Sequence, residues 1–143
     1  MKTIKTLFTF LFFCTAIMSL QGQNKSDMDI LMKYKWDQQF LSEKEYKFCM
    51  TFSSTIENDK FIYVGETISG DNSYYLSDKA EFKFDNNKVG KVKNGKYLIS
   101  KDPKDGEISC YEILELNESK LFIQHIKDIS NKGYTSTFKP EKK

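Results

Sequence analysis

Apolar and polar residues alternate along the stretch that contains the chain's single tryptophan. Tyr34, Trp36, Gln38 and Phe40 fall on one face of an extended segment, and the residues between them are polar. A period of two is typical of a strand that buries one face. The pattern therefore predicts that the first strand of the domain runs from Tyr34 to Leu41, with Trp36 on its buried face.

A short helix is predicted immediately before this strand. Ser26 is a suitable N-cap, and Asp27 and Asp29 would lie in the first turn, where negative charge complements the helix dipole. Residues 30–32 supply an apolar side. We expect a helix over residues 27–33 that covers one end of whatever the strands build.

The rest of the chain repeats the strand pattern, with turn-forming residues between the segments. The type I′ turn pair Asn94-Gly95 favours one hairpin, and residues 57–59 and 69–72 are predicted to form turns. Without intervening helices, the pattern predicts an all-β fold: an up-and-down antiparallel β-barrel of about 8–10 strands, or a strongly curled sandwich. The further predicted strands lie at residues 45–54, 60–66, 73–76, 79–85, 88–93, 96–100, 107–116, 121–128 and 134–139.

Residues 1–22 have the features of a signal peptide: two lysines, an apolar segment at residues 7–17 and small residues before the expected cut. This apolar segment is shorter than the roughly 20 residues that span a bilayer, which argues against a membrane anchor. Cys14 lies inside it and does not follow a small residue, as a lipidated cysteine usually does. We expect a mature domain of residues 23–143 that has no membrane span and is exported to the periplasm or the extracellular space.

The charge of the mature chain is close to zero. Removal of the signal segment takes two of the 22 basic residues and none of the 20 acidic ones, so 20 remain of each sign. Such a balance gives no bulk electrostatic attraction to nucleic acid or to an anionic membrane. Every basic residue is a lysine, so the bidentate fork of arginine is missing as well. We therefore expect no nucleic-acid partner.

Two cysteines, Cys49 and Cys110, remain in the exported chain, and an even number there favours a disulfide. The alternation, however, places Cys49 opposite Phe48 and Met50, and Cys110 opposite Tyr111. Two outward-facing residues come within disulfide distance only on adjacent strands, and the predicted strand order separates these two. We expect two free thiols that face outward.

Residue combinations for catalysis or metal binding are sparse. His125 is the only histidine, and it is predicted on the face of Leu121 and Ile123 as a hydrogen-bonded core or rim residue. No nucleophile motif and no zinc-ligand spacing occurs, and residues 102–107 fit a type I turn better than a calcium loop. We expect a protein that is not an enzyme and that carries no metal and no cofactor.

Aromatic residues, at 15% of the chain, are the one compositional excess. Small barrels use such side chains either as plain core or as the walls of a pocket. Eight of them are predicted on the inward faces of the strands, where they would line a site for one small hydrophobic molecule. These eight candidate binding residues are Trp36, Phe40, Phe48, Phe52, Phe82, Phe84, Tyr111 and Phe138.

Several features occur together along the chain: a signal peptide, a short helix, Trp36 in the first strand, an aromatic second strand, and a late apolar run at residues 111–116 and 121–123. Together they resemble the small lipocalin-like domains of exported Bacteroidetes-type bacterial proteins. The resemblance implies a barrel that binds a small apolar molecule. Lipocalins usually carry a glycine two residues before the tryptophan and an arginine on the last strand, where this chain has Tyr34 and only Lys139.

An alternative function is that of an envelope interaction protein or inhibitor that uses the barrel as a scaffold for its loops. Its protein partner is unknown. Function is often carried by loops on a rigid frame. The loops expected to serve this role are residues 68–72 and 101–106.

Overall fold

The structure is a computed structural model that describes residues 25–40 and 45–143. The expected signal peptide, the end of the predicted first strand at Leu41 and residues 42–44, which connect the first two predicted strands, lie outside the described residues. None of the helices in the described ranges is long and apolar enough to cross a membrane.

Eight antiparallel strands in the described part of the chain form a closed barrel, in which each strand pairs with the next and the last pairs with the first. This confirms the predicted all-β, up-and-down barrel with a short N-terminal helix, in place of the sandwich alternative. The elements in chain order are α1 (Asp27–Lys33), β1 (Tyr34–Gln39), β2 (Tyr46–Phe52), β3 (Ile56–Tyr63), β4 (Glu66–Ser77), a 3₁₀ helix (Asn86–Lys88), β5 (Tyr97–Lys101), β6 (Ile108–Asn117), β7 (Lys120–Asp128) and β8 (Asn131–Lys142).

The helix α1 covers one end of the barrel, as predicted. Ser26 and Asp29 form a capping box, in which the Ser26 hydroxyl accepts from the Asp29 main-chain N–H and the Asp29 carboxylate accepts from the Ser26 N–H. Met28 and Leu31 are fully buried in the main core. The indole N–H of Trp36 donates to the main-chain oxygen of Leu31. The helix is therefore fixed to the barrel by both packing and hydrogen bonding.

The interior at this closed end is plain hydrophobic core. Trp36 on β1 is completely buried, and the Phe52 ring meets the Tyr74 ring edge-on at 5.3 Å between centroids. Tyr34, at the position where lipocalins have glycine, packs edge-on against Trp36 at 5.5 Å. Lys139 pairs in register with Asp37 and is exposed, so it does not cover the indole.

The β3–β4 hairpin differs from the prediction. Residues 57–59 lie inside β3 and residues 69–72 lie inside β4, so neither segment forms a turn. The chain reverses at Val64-Gly65, where both residues have positive φ angles of 47° and 80°. That combination is typical of a type I′ hairpin turn. The predicted loop at residues 68–72 is therefore part of a strand, so this segment cannot serve as one of the interaction loops of the scaffold alternative.

Residues 78–96 leave the sheet and cross the outside of the barrel; we call this segment the strap. The strands predicted at residues 79–85 and 88–93 are wrong, because Ala80, Phe84 and Val89 pack on an outward-facing cluster instead of extending the sheet. The buried centre of that cluster is formed by Tyr75, Ile99, Cys110 and Ile126. An apolar outer face on four strands needs a cover, and the strap supplies it.

The turn pair Asn94-Gly95 ends the strap and does not form the predicted type I′ hairpin. Its side chain and main chain bind the helix instead: Asn94 Oδ1 accepts from the Asp27 N–H at 2.9 Å, and the Gly95 N–H donates to the Asp27 carboxylate at 3.0 Å. A Cβ atom at Gly95 would lie 2.7 Å from the main-chain nitrogen of Ser77. Glycine is needed here for close approach of two backbones.

Cys49 and Cys110 are both free and both buried. The prediction of free thiols on outward faces is confirmed, but the thiols are not exposed to solvent as an outward position suggests. Both are on outward faces, yet the strap covers Cys110, and Cys49 is only 6% exposed beside its register partners Asp37 and Lys60. Burial raises the pKa of both thiols, which lowers their reactivity.

Candidate functional site

A cavity of about 220 Å³ lies at the end of the barrel opposite α1. Aromatic and aliphatic side chains form most of its wall, and a few polar groups converge on it. This combination is typical of small-molecule sites. The lining residues are Gln38, Tyr46, Phe48, Met50, Glu57, Asp59, Phe61, Tyr111, Ile123, Tyr134, Ser136 and Phe138.

Three of the eight predicted binding residues line this cavity: Phe48, Tyr111 and Phe138. The Phe48 and Phe138 rings lie 6.2 Å apart between centroids. Trp36 and Phe52 also point inward, but they belong to the packed core that closes the barrel below the cavity. These two residues support the cavity floor and do not line it.

The other three predicted residues lie elsewhere. Phe40 follows β1 and packs edge-on against the lining residue Tyr46, with 4.9 Å between ring centroids, but is not itself among the lining residues. Phe84 packs against Tyr75 on the outer cluster, and Phe82 is 38% exposed. Placing Phe82 and Phe84 in the interior was wrong, because their alternation belongs to the strap and not to a strand.

Two carboxyl groups that are not among the eight predicted binding residues lie inside the barrel on β3. Glu57 is only 2% exposed, and its Oε2 atom has no hydrogen-bond partner among the described residues. Asp59 accepts from the Asn72 side chain at 3.1 Å through Oδ2, whereas its buried Oδ1 atom has no partner there. Both residues line the cavity. Two buried oxygen atoms with unused acceptor capacity thus lie at an otherwise largely apolar site.

The surroundings of this carboxyl pair favour its protonated forms. Burial, followed by the neighbouring Asp59 charge, raises the pKa of Glu57, and the interaction with Ser100 opposes this only in part. Burial also raises the pKa of Asp59, which the hydrogen bond from Asn72 lowers and the charge of Asp102 raises. No lysine is among the cavity-lining residues that the structure describes, so the pair has no cationic partner within the wall.

Two tyrosines and the single histidine form an aromatic stack at the rim. His125 lies between Tyr111 and Tyr134, at 5.3 Å from each ring centroid, and is nearly parallel to Tyr134 at 20°. The inward rim position predicted for His125 is confirmed, since it pairs in register with Tyr111. Its Nδ1 atom is buried without a hydrogen-bond partner in the described ranges, unlike the hydrogen-bonded residue that was predicted.

Further apolar side chains surround the mouth. Tyr63, Val64 and Ile68 are exposed at the β3–β4 hairpin, and Ile129 and Tyr134 are exposed at the β7–β8 hairpin. Both hairpins lie at the open end of the barrel. The cavity entrance is thus flanked by apolar residues on two sides.

The missed lining residues had a signal in the sequence. Glu57, Asp59, Phe61 and Tyr63 alternate with period two, the spacing of one strand face. The composition of the run Glu57-Asn58-Asp59 favours a turn, which is why the turn prediction fails here. Its alternation with the aromatic residues that follow would have placed both carboxylates inside.

Comparisons with protein-family models, with curated proteins and with solved structures found no match for this chain. The lipocalin-like resemblance therefore remains an expectation from the sequence. In the described residues, no group of three or more histidine, cysteine, aspartate or glutamate side chains could hold a metal ion. The function has to be argued from the cavity itself.

Proposed function

We propose that this protein is an exported, non-enzymatic, lipocalin-like binding protein that holds one small, largely apolar molecule in the cavity at the open end of its barrel. The observation that carries the proposal is the cavity of about 220 Å³ with aromatic walls. An eight-stranded barrel is just wide enough to hold one small ligand. A cavity of about 150 Å³ accepts benzene, so this one is large enough for a single ring with a short substituent.

The rest of the barrel supports this use of the cavity. The closed end is filled by Trp36, Leu31 and Phe52, so the space at the other end is separated from solvent below by a packed floor. Apolar side chains at the mouth, such as Ile68 and Ile129, would lower the cost of passing an apolar molecule into the interior.

Native mass spectrometry after mild purification tests the proposal, because a retained ligand adds a defined mass to the folded protein. The variant Ile123→Phe enlarges a side chain that lines the cavity, and we expect it to lose the adduct. The matched control is Leu114→Phe, the same kind of change at a residue that is 42% exposed outside the cavity. Circular dichroism and thermal unfolding establish that both variants fold.

Single-ring probes complete the test where no ligand is retained. Binding is followed by amide chemical shifts of the lining residues, and Ile123→Phe should weaken it by at least about tenfold while Leu114→Phe leaves it unchanged. Equal binding by both variants would place the ligand elsewhere and reject the cavity as the site.

The scaffold function has one observation in its favour. Exposed Tyr63, Val64 and Ile129 surround the mouth, and the turn after Lys101 lies at the same end. A pull-down from envelope extracts tests it: a specific protein partner that Ile129→Ser removes and Ile123→Phe retains would favour the scaffold function over the cavity.

A further inference from the structure

The carboxyl pair inside the cavity is unusual for a site that holds an apolar molecule. A barrel that carries only hydrophobic ligands gains nothing from a buried glutamate, because burial of an unpaired polar group costs free energy. The Glu57 side chain is only 2% exposed, and its Oε2 atom has no hydrogen-bond partner among the described residues. The unused acceptor capacity points to a donor that is supplied from outside the chain.

The position of the two carboxyls defines what that donor can be. Glu57 and Asp59 are two residues apart on β3 and project from the same strand face into the cavity. The partners that hold them, Asn72 for Asp59 and Ser100 for Glu57, leave Oδ1 and Oε2 unsatisfied. A group with several N–H donors would satisfy both oxygens at once.

The rest of the wall favours an organic cation over a metal ion. Calcium takes six to eight oxygen ligands and magnesium keeps an octahedral shell, whereas Glu57 and Asp59 are the only carboxylates among the described lining residues and most of the wall is apolar. Aromatic rings attract ammonium groups through the negative charge on their faces. Tyr46, Phe48 and Phe61 line the cavity with the two carboxyls, and the register pairs Phe48 with Phe61 on the strand of Glu57 and Asp59.

We propose that the ligand of this cavity is a small primary amine with a single-ring or similarly sized apolar body, whose ammonium group binds between Glu57 and Asp59. This proposal rests on the proposed function and names the ligand class of the same site. The ammonium donates to Oε2 of Glu57 and Oδ1 of Asp59, and the apolar body lies among the aromatic side chains nearer the mouth. The cavity of about 220 Å³ limits the body to roughly one ring with a short chain.

Three probes with the same ring and different head groups test the proposal. They are 2-phenylethylamine, the neutral 2-phenylethanol and the anionic 3-phenylpropionate, each titrated by calorimetry at pH 7 with amide shifts mapped by NMR. We expect the amine to bind at least about tenfold more tightly than the alcohol, and the carboxylate to bind most weakly.

The variant Glu57→Gln keeps the shape of the side chain but cannot form the carboxylate that Glu57 becomes when a bound ammonium group displaces its proton. It should lower the affinity for the amine by about tenfold or more and leave the affinity for the alcohol nearly unchanged. Asp59→Asn should act in the same direction. Glu118→Gln is the matched control at an exposed carboxylate of the closed end, and it should change neither affinity. Thermal unfolding establishes that each variant is folded.

The outcomes separate the two proposals. If the amine and the alcohol bind equally and Glu57→Gln affects neither, the amine proposal is overturned while the cavity remains the site of an apolar ligand. If none of the three probes binds at the cavity residues, both proposals are overturned. A loss of both probes in Glu57→Gln, with the fold intact, would show that Glu57 shapes the cavity and does not select an ammonium group.

Discussion

The indole Nε1 atom of Trp36 donates a hydrogen bond of 3.0 Å to the main-chain oxygen of Leu31, the residue that α1 buries at the closed end of the barrel. This contact joins the last turn of the helix to the first strand. It also satisfies the polar atom of a completely buried side chain, which is the usual condition for burying tryptophan. The helix and the strand are therefore fixed as one unit.

We expect Trp36→Phe to destabilise the fold by about 2 kcal/mol, because the change opens a cavity and leaves the Leu31 oxygen without its donor. Urea unfolding followed by circular dichroism measures the loss. Phe82→Leu, at a residue that is 38% exposed on the strap, is the control and should shift stability by less than about 0.5 kcal/mol. Equal losses in the two variants would argue against a structural role for the Trp36–Leu31 contact.

The thiols of Cys49 and Cys110 should react slowly in the folded protein. Both are buried, and burial raises the pKa of each thiol, so little thiolate is present and little is accessible. A thiol reagent added without reductant should modify both cysteines in denaturant and neither rapidly under native conditions. Protection that persists in denaturant would indicate a disulfide and contradict two free cysteines.

The turn of the β3–β4 hairpin carries a residue that does not favour its conformation. Val64 has a φ of 47°, a region that β-branched residues rarely adopt. Asparagine adopts it readily, and Asn-Gly is the preferred pair for a type I′ turn. We expect Val64→Asn to stabilise the protein by about 1 kcal/mol in urea unfolding. Val64→Thr retains the β-branch and should leave stability unchanged, so a similar gain in both variants would exclude the turn conformation as the cause.

The same hairpin shows why part of the fold could not be predicted. Ser69, Gly70, Asp71 and Asn72 have the composition of a turn, whereas the real turn carries a valine. Pairing with β3 overrides the local preference, as Asp59 pairs in register with Gly70 and Asn58 donates to the Gly70 oxygen. By contrast, Ser26 and Asp29 specify the helix start through contacts between near neighbours in sequence, so the helix could be predicted.

The strap and part of the candidate site could not be predicted, because they are formed by contacts between residues that are distant in sequence. Phe84 alternates with polar residues as a strand residue would, but its ring packs against Tyr75 on the outside of the barrel. Phe48 and Phe138 could be placed inside because their strands alternate cleanly. The alternation of Glu57 with Asp59 and Phe61 also indicates an inward position, but the burial of its carboxyl group is produced by β4 and β5, which are distant in sequence.

The strap is held by a carboxylate that accepts three hydrogen bonds. Glu81 accepts from Lys88 Nζ at 2.6 Å, from Ser77 Oγ at 2.6 Å and from the Tyr75 hydroxyl at 2.9 Å. Burial alone would raise the pKa of Glu81, but these bonds outweigh it and lower the pKa to about 2. A depressed pKa stabilises the fold above the unfolded value of 4.5, and this stability is lost as pH falls from there through about 2.

We therefore expect Glu81→Gln to cost about 2 kcal/mol at pH 7, where it breaks the pair with Lys88. The stability difference between wild type and variant should shrink between pH 4.5 and 2, measured by urea unfolding across that range. Glu66→Gln, at an exposed residue at the start of β4, should cost less than about 0.5 kcal/mol. A difference that stays constant down to pH 2 would show that Glu81 acts through packing alone.

Glu57 should have the opposite effect on stability. Burial and the nearby Asp59 raise its pKa above the ordinary 4.5, so the folded protein holds a proton that the unfolded chain releases. A raised pKa gives stability that is complete below pH 4.5 and is lost as pH rises from there through about 8. The charge of Glu57 adds to the burial that raises the pKa of Tyr74 and of Tyr111.

We expect Glu57→Gln to be more stable than the wild type at pH 7 by about 1–2 kcal/mol, because glutamine resembles the protonated acid and need not ionise. The gain should disappear near pH 4, where the wild-type carboxyl is protonated in both states, and urea unfolding at the two pH values measures it. The wild type itself serves as its own control when 2-phenylethylamine is added at pH 7: a bound ammonium group should restore part of the missing stability. A variant that is less stable than wild type by the same amount at both pH values would show that Glu57 contributes to folding through its shape and its contact with Ser100, and not through the charge that the amine proposal requires.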